Sequence, residues 1–104
     1  MNISVVICTY TEKRWDTLVA GITSVQQQSM PPYEIIVVSD NNPALAARLQ
    51  AKFTGITVAE NHGTPGISTT RNVGVAIASG DIVAFIDDDA IANKDWLSQL
   101  ACCY

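Results

Sequence analysis

The sequence predicts an α/β protein in which a sheet of parallel strands lies between layers of helices, the three-layer Rossmann-like arrangement. Short, apolar and mostly β-branched runs alternate with segments whose apolar residues recur every three or four positions. Polar residues follow each apolar run, and the composition, 48% apolar and 15% charged, is that of a globular protein. Because consecutive parallel strands need a helical crossover, we expect right-handed βαβ units.

The first two predicted strands flank a predicted helix. Residues 3–8 and 34–38 are short, nearly all-apolar runs, as in strands that are covered on both faces. Between them, an apolar stripe at helical spacing predicts a helix that the prolines at 31–32 end. The stripe consists of Trp15, Leu18, Ile22 and Val25.

A second helix, a weaker strand and a loop are predicted next. Asn42-Pro43 is typical of an N-cap followed by the first helical residue, and the helix is expected to run to about Phe53, with Gly55 as its stop. Residues 56–58 favour a short third strand. Residues 60–66 contain two glycines and a proline, which predicts a loop.

The remaining residues predict a helix, the clearest strand and a last helix. The third helix is expected from residue 67 or 68 to about Ser79, with Gly80 as a left-handed C-terminal stop. Residues 82–86 form an apolar run that ends directly in Asp87-Asp88-Asp89. The last helix is expected to be capped by Asn93 and to have Trp96, Leu97 and Leu100 on its apolar side.

Charge, cysteines and hydropathy exclude several classes of protein. The formal charge of -4, with few and scattered basic residues, argues against nucleic-acid binding. No run approaches the ~20 apolar residues of a transmembrane helix, and no signal peptide is indicated. Cys8, Cys102 and Cys103 lack the spacing of a zinc site or a disulfide framework, so we expect buried or unreactive thiols. These features predict a cytoplasmic protein, or one at the inner face of the membrane.

Polar residues follow every predicted strand, and we expect them to meet in one cleft. In an open α/β sheet, ligands bind outside the carboxyl ends of the strands, where the strand order reverses. The residues in question are Thr9 and Tyr10 after the first strand, Asp40 after the second, Asn61 and His62 after the third, and Asp87, Asp88 and Asp89 after the fourth.

The acidic triplet suggests that a phosphate is bound through a metal. A G-x-G-x-x-G loop after the first strand and a lysine-containing phosphate loop are both missing, which disfavours dinucleotide dehydrogenases and P-loop NTPases. Carboxylates suit Mg²⁺ or Mn²⁺, which bind one or two of them together with substrate phosphates. If the extended conformation continues through the triplet, Asp87 and Asp89 point to one side and Asp88 to the other. A cation would offset the repulsion between Asp87 and Asp89.

Four segments resemble motifs of one enzyme family. They are residues 4–10 (SVVICTY), 34–40 (EIIVVSD), 66–74 (GISTTRNVG) and 80–89 (GDIVAFIDDD). Each is weak alone, but four in order at compatible spacing form a specific signal. On these residues the chain resembles the start of a family 2 glycosyltransferase of the GT-A type, over essentially all of its length.

The resemblance implies a base-binding side of the site. Thr9 and Tyr10 would pack around the nucleotide base, and Asp40 would hydrogen-bond to that base, usually uracil. A carboxylate can accept the imide N–H of uracil, so this role is chemically coherent. Arg71 would lie near the base and the diphosphate.

The resemblance also implies a diphosphate side. Asp87 would touch the ribose, and Asp89, together with Asp87, would hold Mn²⁺ or Mg²⁺ on the diphosphate. Asp88 lies between them in the nucleotide-sugar site. Thr70 stands where the family usually has alanine, and Asn41-Asn42 where it usually has Gly-Ser.

The implied reaction transfers a sugar from a nucleoside-diphosphate sugar, usually a UDP-sugar, to a hydroxyl acceptor with inversion. The acceptor would be a glycan or a lipid-linked glycan, as in polysaccharide biosynthesis. The general base is expected beyond Tyr104, so we expect residues 1–104 to be a truncated, N-terminal nucleotide-sugar-binding part. Its exposed apolar surface would favour self-association.

Other interpretations of the same residues stay open. Asp40 also suits a turn at a strand end, Tyr10 and Arg71 suit solvent-exposed positions, and His62 suits an ordinary loop. A sugar-nucleotide-binding fragment without catalytic activity is the main alternative function. Aspartyl phosphatases also carry D-x-D, but theirs follows the first strand, where this chain has no acid.

Overall fold

Four parallel strands form the sheet of the structure, a computed structural model that describes residues 1–103. The strands are β1 (Ile3–Thr9), β2 (Glu34–Asp40), β3 (Thr57–Asn61) and β4 (Ile82–Asp87). The helices are α1 (Trp15–Gln26), α2 (Pro43–Lys52), α3 (Ile67–Ile77) and α4 (Trp96–Ala101), and a 3₁₀ turn, Glu12–Arg14, precedes α1. Within the described residues, no helix has both the length and the apolar character needed to cross a bilayer.

The strand order is β3-β2-β1-β4. The chain builds the sheet outward from β1 to β3 and then returns to place β4 on the other side of β1, so the order reverses between β1 and β4. Cys8 of β1 is aligned with Val38 of β2 on one side and with Asp87 of β4 on the other. The end of β1 and the acidic triplet after β4 are therefore neighbours at the carboxyl edge of the sheet.

Helices cover both faces of the sheet, which confirms the predicted three-layer α/β class. On one face, α1, α2 and α4 bury the larger apolar cluster against β1 and β2. On the other face, α3 packs on a smaller cluster formed by Val6, Ile36 and Val38. Gly74 permits the close approach of α3, because a Cβ at this position would lie 2.5 Å from Val6 Cγ1.

The predicted start signal of α2 is confirmed, whereas the helix ends before its predicted stop. Asn42 Oδ1 accepts a hydrogen bond from the backbone N–H of Leu45 at 3.1 Å, and Pro43 is the first residue of the helix. Gly55 follows the helix with φ of 77°, in the left-handed region that favours glycine. The helix has already ended at Lys52, where Phe53 is the extended C-cap, so Gly55 lies in the turn beyond it and is not the stop.

The strand β3 extends further than the sequence predicts. Residues from Glu60 onward were expected to form a loop, but Glu60 and Asn61 are aligned with Ser39 and Asp40 of β2. The strand continues because its backbone pairs with β2, and this pairing is not visible in the polar character of its last residues. Asn61 is thereby placed directly beside Asp40.

Gly80 is not a left-handed helix stop, so that prediction is wrong. The helix α3 ends at Ile77, and the next residue is already extended. Gly80 instead lies against the start of β1, where a Cβ would come within 2.6 Å of Ser4 Oγ and 2.8 Å of the Asn2 carbonyl oxygen. Its backbone N–H donates to Ser4 Oγ at 2.9 Å. Close approach of two backbones, not a positive φ, explains this glycine.

The last helix starts later than predicted. Asn93 Oδ1 accepts from the N–H of Asp95 at 2.9 Å, and the Asn93 carbonyl accepts from the N–H of Trp96 at 3.0 Å. Asn93 therefore closes a turn before α4, while the N-cap position belongs to Asp95, which makes no side-chain cap. Leu97 is buried and Trp96 and Leu100 pack against the core, which confirms the predicted apolar side.

Candidate functional site

A cleft opens at the carboxyl edge of the sheet, where the ends of β1 and β4 meet the start of α3. Its volume is about 520 Å³, within the range of roughly 300–1,000 Å³ that is typical of small-molecule sites. It also lies where the strand order reverses. Every residue predicted for the nucleotide-sugar and metal sites lines this cleft: Thr9, Tyr10, Asp40, Arg71, Asp87, Asp88 and Asp89.

Several lining residues were not singled out from the sequence. They include Arg14, at the end of the 3₁₀ turn, and Phe85 in β4, while Thr70 in α3 was noted only as a departure from the family motif. Thr70 and Phe85 lie within two of the motif segments. Arg14 lies outside them, and the only sequence feature that could have indicated its place in the cleft is its position shortly after the first strand.

Asn61, the last residue of β3, and His62, which follows it, were predicted to face the cleft, but neither does. His62 is 73% exposed, and its Nε2 lies 3.9 Å from Glu60 Oε1. Asn61 is buried and hydrogen-bonded to its neighbours. Neither residue is part of the cleft lining, because β3 is the edge strand farthest from β4.

Asp40 ends β2 and borders the cleft with both carboxylate oxygens engaged. Its Oδ2 accepts the backbone N–H of Gly66 at 3.0 Å, and its Oδ1 accepts from Asn61 Nδ2 at 3.1 Å and Asn41 Nδ2 at 2.9 Å. Partial burial by itself raises the pKa of Asp40, but these hydrogen bonds, with a smaller contribution from Thr70, outweigh burial and lower the pKa below its usual value. Asp40 is therefore an ionised acceptor at neutral pH.

The loop before α3 is shaped to present an N–H to Asp40. Gly66 has φ of 137° and ψ of 160°, a conformation that essentially only glycine adopts. Asn61 holds the loop from the other side: its Nδ2 donates to the Thr64 carbonyl at 3.1 Å, and its Oδ1 accepts from the N–H of Gly63 at 3.0 Å. Asn61 thus supports the wall of the cleft instead of facing a ligand.

The acidic triplet does not continue as a strand. The extended conformation ends at Asp87, and the N–H of Ala90 donates to the Asp87 carbonyl at 3.2 Å, which closes a turn over Asp88 and Asp89. The side chain of Asp87 is 73% exposed, whereas that of Asp88 is 7% exposed. Asp89 is exposed as well. The two flanking carboxylates therefore face solvent at the cleft, and the middle one points into the protein.

Asp88 is bound by residues at and after the end of β1, the strand that pairs with β4. Its Oδ1 accepts from Arg14 Nη1 at 2.8 Å, and its Oδ2 accepts from Thr9 Oγ1 at 3.0 Å. Arg14 Nη2 also donates to the Tyr10 hydroxyl at 3.1 Å. The hydrogen bond with Asp88 and the negative charge of Asp88 raise the pKa of Arg14 above its usual value. The hydroxyl of Thr9 is thereby committed to Asp88, and Tyr10 is held by Arg14.

Arg71 provides the second positive charge of the cleft. Its guanidinium lies over the ring of Phe85, with Cζ 5.0 Å from the ring centroid, and its Nη2 is 4.0 Å from Asp87 Oδ1. The side chain is 42% exposed, so this pairing is a weak, solvent-screened one. The guanidinium is free to form stronger contacts with an anionic ligand.

Cys8 contributes a neutral thiol to the cleft. Burial raises the pKa of Cys8 to about 11, even though the nearby charge of Arg71 lowers it. The thiol is therefore protonated at neutral pH and unsuited to nucleophilic chemistry. Cys102 and Cys103 are exposed, so the expectation of buried thiols applies only partly, to Cys8.

Asp87 and Asp89 fit the requirements of a divalent metal that is bound together with a phosphate ligand. No hydrogen bond within residues 1–103 engages either carboxylate, and both line the cleft. Hard oxygen donors of this kind suit Mg²⁺ or Mn²⁺. In the described part of the chain, no group of three or more His, Cys, Asp or Glu side chains is arranged to hold a metal. Phosphate and water oxygens would therefore complete the ligand set.

Comparison with known proteins identifies relatives of the whole chain. The family model described as glycosyl transferase family 2 matches residues 4–101. The chain is 37% identical over 107 residues to the glucosyl-dolichyl phosphate glucuronosyltransferase of Haloferax volcanii, a match that covers 100% of this chain and 34% of that protein.

The fold is also similar to that of solved glycosyltransferases. With Staphylococcus aureus TarS 1–349 in complex with UDP-GlcNAc, the TM-score is 0.73 at 26% identity, covering 98% of this chain and 30% of that one. With the mannosyltransferase PcManGT of Pyrobaculum calidifontis in complex with GDP-Man and Mn²⁺, the TM-score is 0.77 at 23% identity, covering 96% and 31%. The second likeness shows the fold alone.

These likenesses confirm the predicted GT-A type of nucleotide-binding fold. The chain spans about a third of the length of these relatives. Since the family model matches nearly every residue, and all four motif segments lie within the matched range, this chain belongs to glycosyl transferase family 2.

Proposed function

We propose that this chain forms the donor-binding part of a metal-dependent, inverting glycosyltransferase. The enzyme would move a sugar from a nucleoside-diphosphate sugar, specifically a UDP-sugar, to a hydroxyl group of a glycan or lipid-linked glycan. One observation carries the proposal: a single cleft contains an ionised carboxylate held ready to accept an N–H, two exposed carboxylates, and a weakly paired guanidinium.

Asp40 is proposed to recognise the base. Its carboxylate is ionised and its orientation is held by Gly66, Asn61 and Asn41, so it presents remaining acceptor capacity in a defined direction. Uracil offers an imide N–H at the matching edge, whereas cytosine has an unprotonated ring nitrogen there. The similarity to TarS, which was solved with UDP-GlcNAc, supports the choice of uracil. Thr9 and Tyr10 would form the wall beside the base.

The acidic turn is proposed to receive the ribose and the diphosphate. Asp87 would accept from a ribose hydroxyl and share with Asp89 the binding of Mn²⁺ or Mg²⁺. When bound, such an ion neutralises the negative charge that develops on the leaving diphosphate. Arg71 lies beside Asp87 and would exchange its weak contact there for a diphosphate oxygen, which is a better partner for a guanidinium. The metal assignment depends on this donor set and not on the Mn²⁺ of the mannosyltransferase.

Binding of nucleotides to the chain tests the proposal. UDP should bind more tightly with Mn²⁺ or Mg²⁺ than with EDTA, and UDP should bind more tightly than CDP. Asp89→Asn should remove most of the metal-dependent gain and leave the affinity in EDTA unchanged. Asp16→Asn, which alters an exposed acid in the first turn of α1, is the matched control and should behave as wild type. Equal titration curves with and without metal for the wild-type chain would refute the proposal.

A second candidate is nucleotide-sugar binding without transfer. Among the described residues that line the cleft, the carboxylates are Asp40, Asp87, Asp88 and Asp89, and each already has a structural or donor-side role in this proposal. None is left to deprotonate the acceptor, a step that typically contributes about 10²- to 10⁴-fold in rate. We therefore expect the 104-residue chain to bind the donor and to transfer no sugar. A radiolabelled-sugar assay tests this expectation. Turnover by this chain alone would favour the first candidate over the second.

A further inference from the structure

Asp88 has the environment of a structural anchor, although it lies in the middle of the acidic triplet. Its side chain is 7% exposed, and each carboxylate oxygen receives one hydrogen bond, from Arg14 Nη1 at 2.8 Å and from Thr9 Oγ1 at 3.0 Å. A buried carboxylate is tolerated only when it is paired and hydrogen-bonded, as it is here. Its partners come from the end of β1 and from the 3₁₀ turn that follows it.

Arg14 joins the loop after β1 to the turn after β4 through one guanidinium. Besides its bond to Asp88, it donates to the Tyr10 hydroxyl at 3.1 Å, with Cζ 5.3 Å from the Tyr10 ring centroid. Its own position is set by the 3₁₀ turn Glu12–Arg14, which Thr11 caps by accepting the N–H of Lys13 at 3.1 Å. The loop after β1 and the turn after β4 therefore share one cationic link.

The link acts on the residues that flank Asp88. Because Asp88 is turned inward and neutralised by Arg14, the backbone of the turn is held with Asp87 and Asp89 outward. Without the guanidinium, Asp88 would be a buried, unpaired charge between two other carboxylates. The turn would then be expected to rotate Asp88 toward water, which would displace its neighbours.

We propose that Arg14 is a positioning residue for the metal side of the cleft: by holding Asp88, it fixes the turn that presents Asp87 and Asp89 to a divalent cation and a nucleoside diphosphate. This inference rests on the proposed function. In this proposal Arg14 acts through Asp88 and is assigned no contact with the cation or the reacting atoms, although it lines the cleft. Its effect on the metal side is read from the metal-dependent part of binding, because Asp40 is held by a separate network. Loss of its bond to Tyr10 acts on the base side, with or without metal.

The experiment compares the metal-dependent gain in UDP affinity, the ratio of Kd in EDTA to Kd in Mn²⁺, among variants of the chain. Arg14→Met should reduce this ratio by about 10- to 100-fold or abolish it, as happens when groups that orient metal ligands are lost. Its Kd in EDTA reports separately on the loss of the bond between Arg14 and Tyr10, which lies on the base side of the cleft. Arg14→Lys, which keeps a cation near Asp88, should recover part of the ratio. Thermal unfolding of each variant confirms that it is folded.

Arg48→Met is the matched control. Arg48 stacks on Trp15, with Cζ 3.9 Å from the ring centroid, and lies 3.9 Å from Glu12, outside the cleft lining. It should keep the wild-type ratio. If Arg14→Met does not fold, Arg14→Gln, which keeps a donor for Asp88 but lacks the charge, should show the same loss.

The two proposals fail in different ways. A wild-type chain without any Mn²⁺-dependent gain would refute the proposed function and this inference with it. If the wild-type chain shows the Mn²⁺-dependent gain in UDP affinity and a folded Arg14 variant without the charge retains that gain in full, only the inference about Arg14 is overturned. A loss of affinity that is equal in EDTA and in Mn²⁺ would also overturn it, because a general structural defect predicts that pattern.

Discussion

The backbone N–H of Gly66 donates to Asp40 Oδ2 at 3.0 Å, and this bond ties the end of β2 to the start of α3 at the cleft. It orients the carboxylate that we propose to bind the base, and it stabilises the ionised form of that carboxylate. The same bond depends on a backbone conformation that only glycine adopts readily. Recognition and loop conformation are therefore linked at this pair.

Replacing Asp40 should weaken UDP binding even without metal. Asp40→Ala removes a charged acceptor for the base, and loss of such a hydrogen bond costs about 1.5–3 kcal/mol, or roughly 10- to 150-fold in affinity. Isothermal titration calorimetry in EDTA measures the effect. Asp81→Ala removes an acid that accepts from the N–H of Asn2 at 2.8 Å, outside the cleft, and should leave binding unchanged. An unaltered UDP affinity of the Asp40→Ala variant would show that Asp40 does not bind the nucleotide.

Alanine at Gly66 should reduce both stability and nucleotide binding. Its φ of 137° and ψ of 160° would strain a side chain by about 1–3 kcal/mol, and relaxation of the loop would withdraw the N–H from Asp40. Gly55→Ala provides the comparison, because Gly55 also has a positive φ, 77°, but does not line the cleft. Urea unfolding should show both variants destabilised, and UDP titration should show only Gly66→Ala impaired. Impaired UDP binding in both variants would mean that backbone strain at either glycine disturbs the whole fold and not only the loop beside Asp40.

Alanine at Gly74 should destabilise the fold although it favours helix formation. Replacing glycine by alanine within a helix stabilises the helix by about 1 kcal/mol through its higher helix propensity. Here, however, the new Cβ would lie 2.5 Å from Val6 Cγ1 and 3.3 Å from Val38 Cγ2. Overpacking of a buried contact typically costs about 1–3 kcal/mol, so we expect a net loss in urea unfolding. Val6→Ala in the same chain should recover part of that loss. Strict additivity of the two substitutions would contradict the packing explanation.

The contribution of Glu34 to stability should depend on pH. Glu34 Oε2 accepts from Ser4 Oγ at 2.6 Å and from the N–H of Ser79 at 2.6 Å, and the bond from Ser4, followed by that from Ser79, lowers the pKa of Glu34. A carboxylate whose pKa is lower in the folded state stabilises above its unfolded pKa and loses this effect as the pH falls through the folded pKa. Glu34→Gln should therefore be destabilised by about 1 kcal/mol at neutral pH.

The difference between wild type and Glu34→Gln should shrink as the pH is lowered below the ordinary pKa of 4.5. Urea unfolding across this range measures it. Glu12→Gln is the control, since Glu12 is exposed and lies 3.9 Å from Arg48. A difference for Glu34→Gln that is constant with pH would assign its effect to packing instead of to its charge.

The sequence by itself determined the elements whose signals are local. Strand runs such as residues 82–86 follow from continuous apolar character, and the start of α2 follows from the cap of Asn42 and from Pro43 at the first helical position. Because the carboxyl ends of parallel strands share one edge, the gathering of the acidic triplet, Tyr10 and Asp40 in one cleft also followed from the predicted topology.

Only the tertiary structure decided which polar residues face a ligand and which support the site. Strand alternation alone predicted that Asp88 points away from its neighbours, but the strand ends at Asp87, and Asp88 is buried because Arg14, 74 positions away, pairs with it. Asn61 is drawn into β3 by pairing with β2, and Gly80 is required by its contact with the start of β1. Such relationships depend on distances between residues far apart in the chain, and local periodicity, propensity and capping carry no information about those distances.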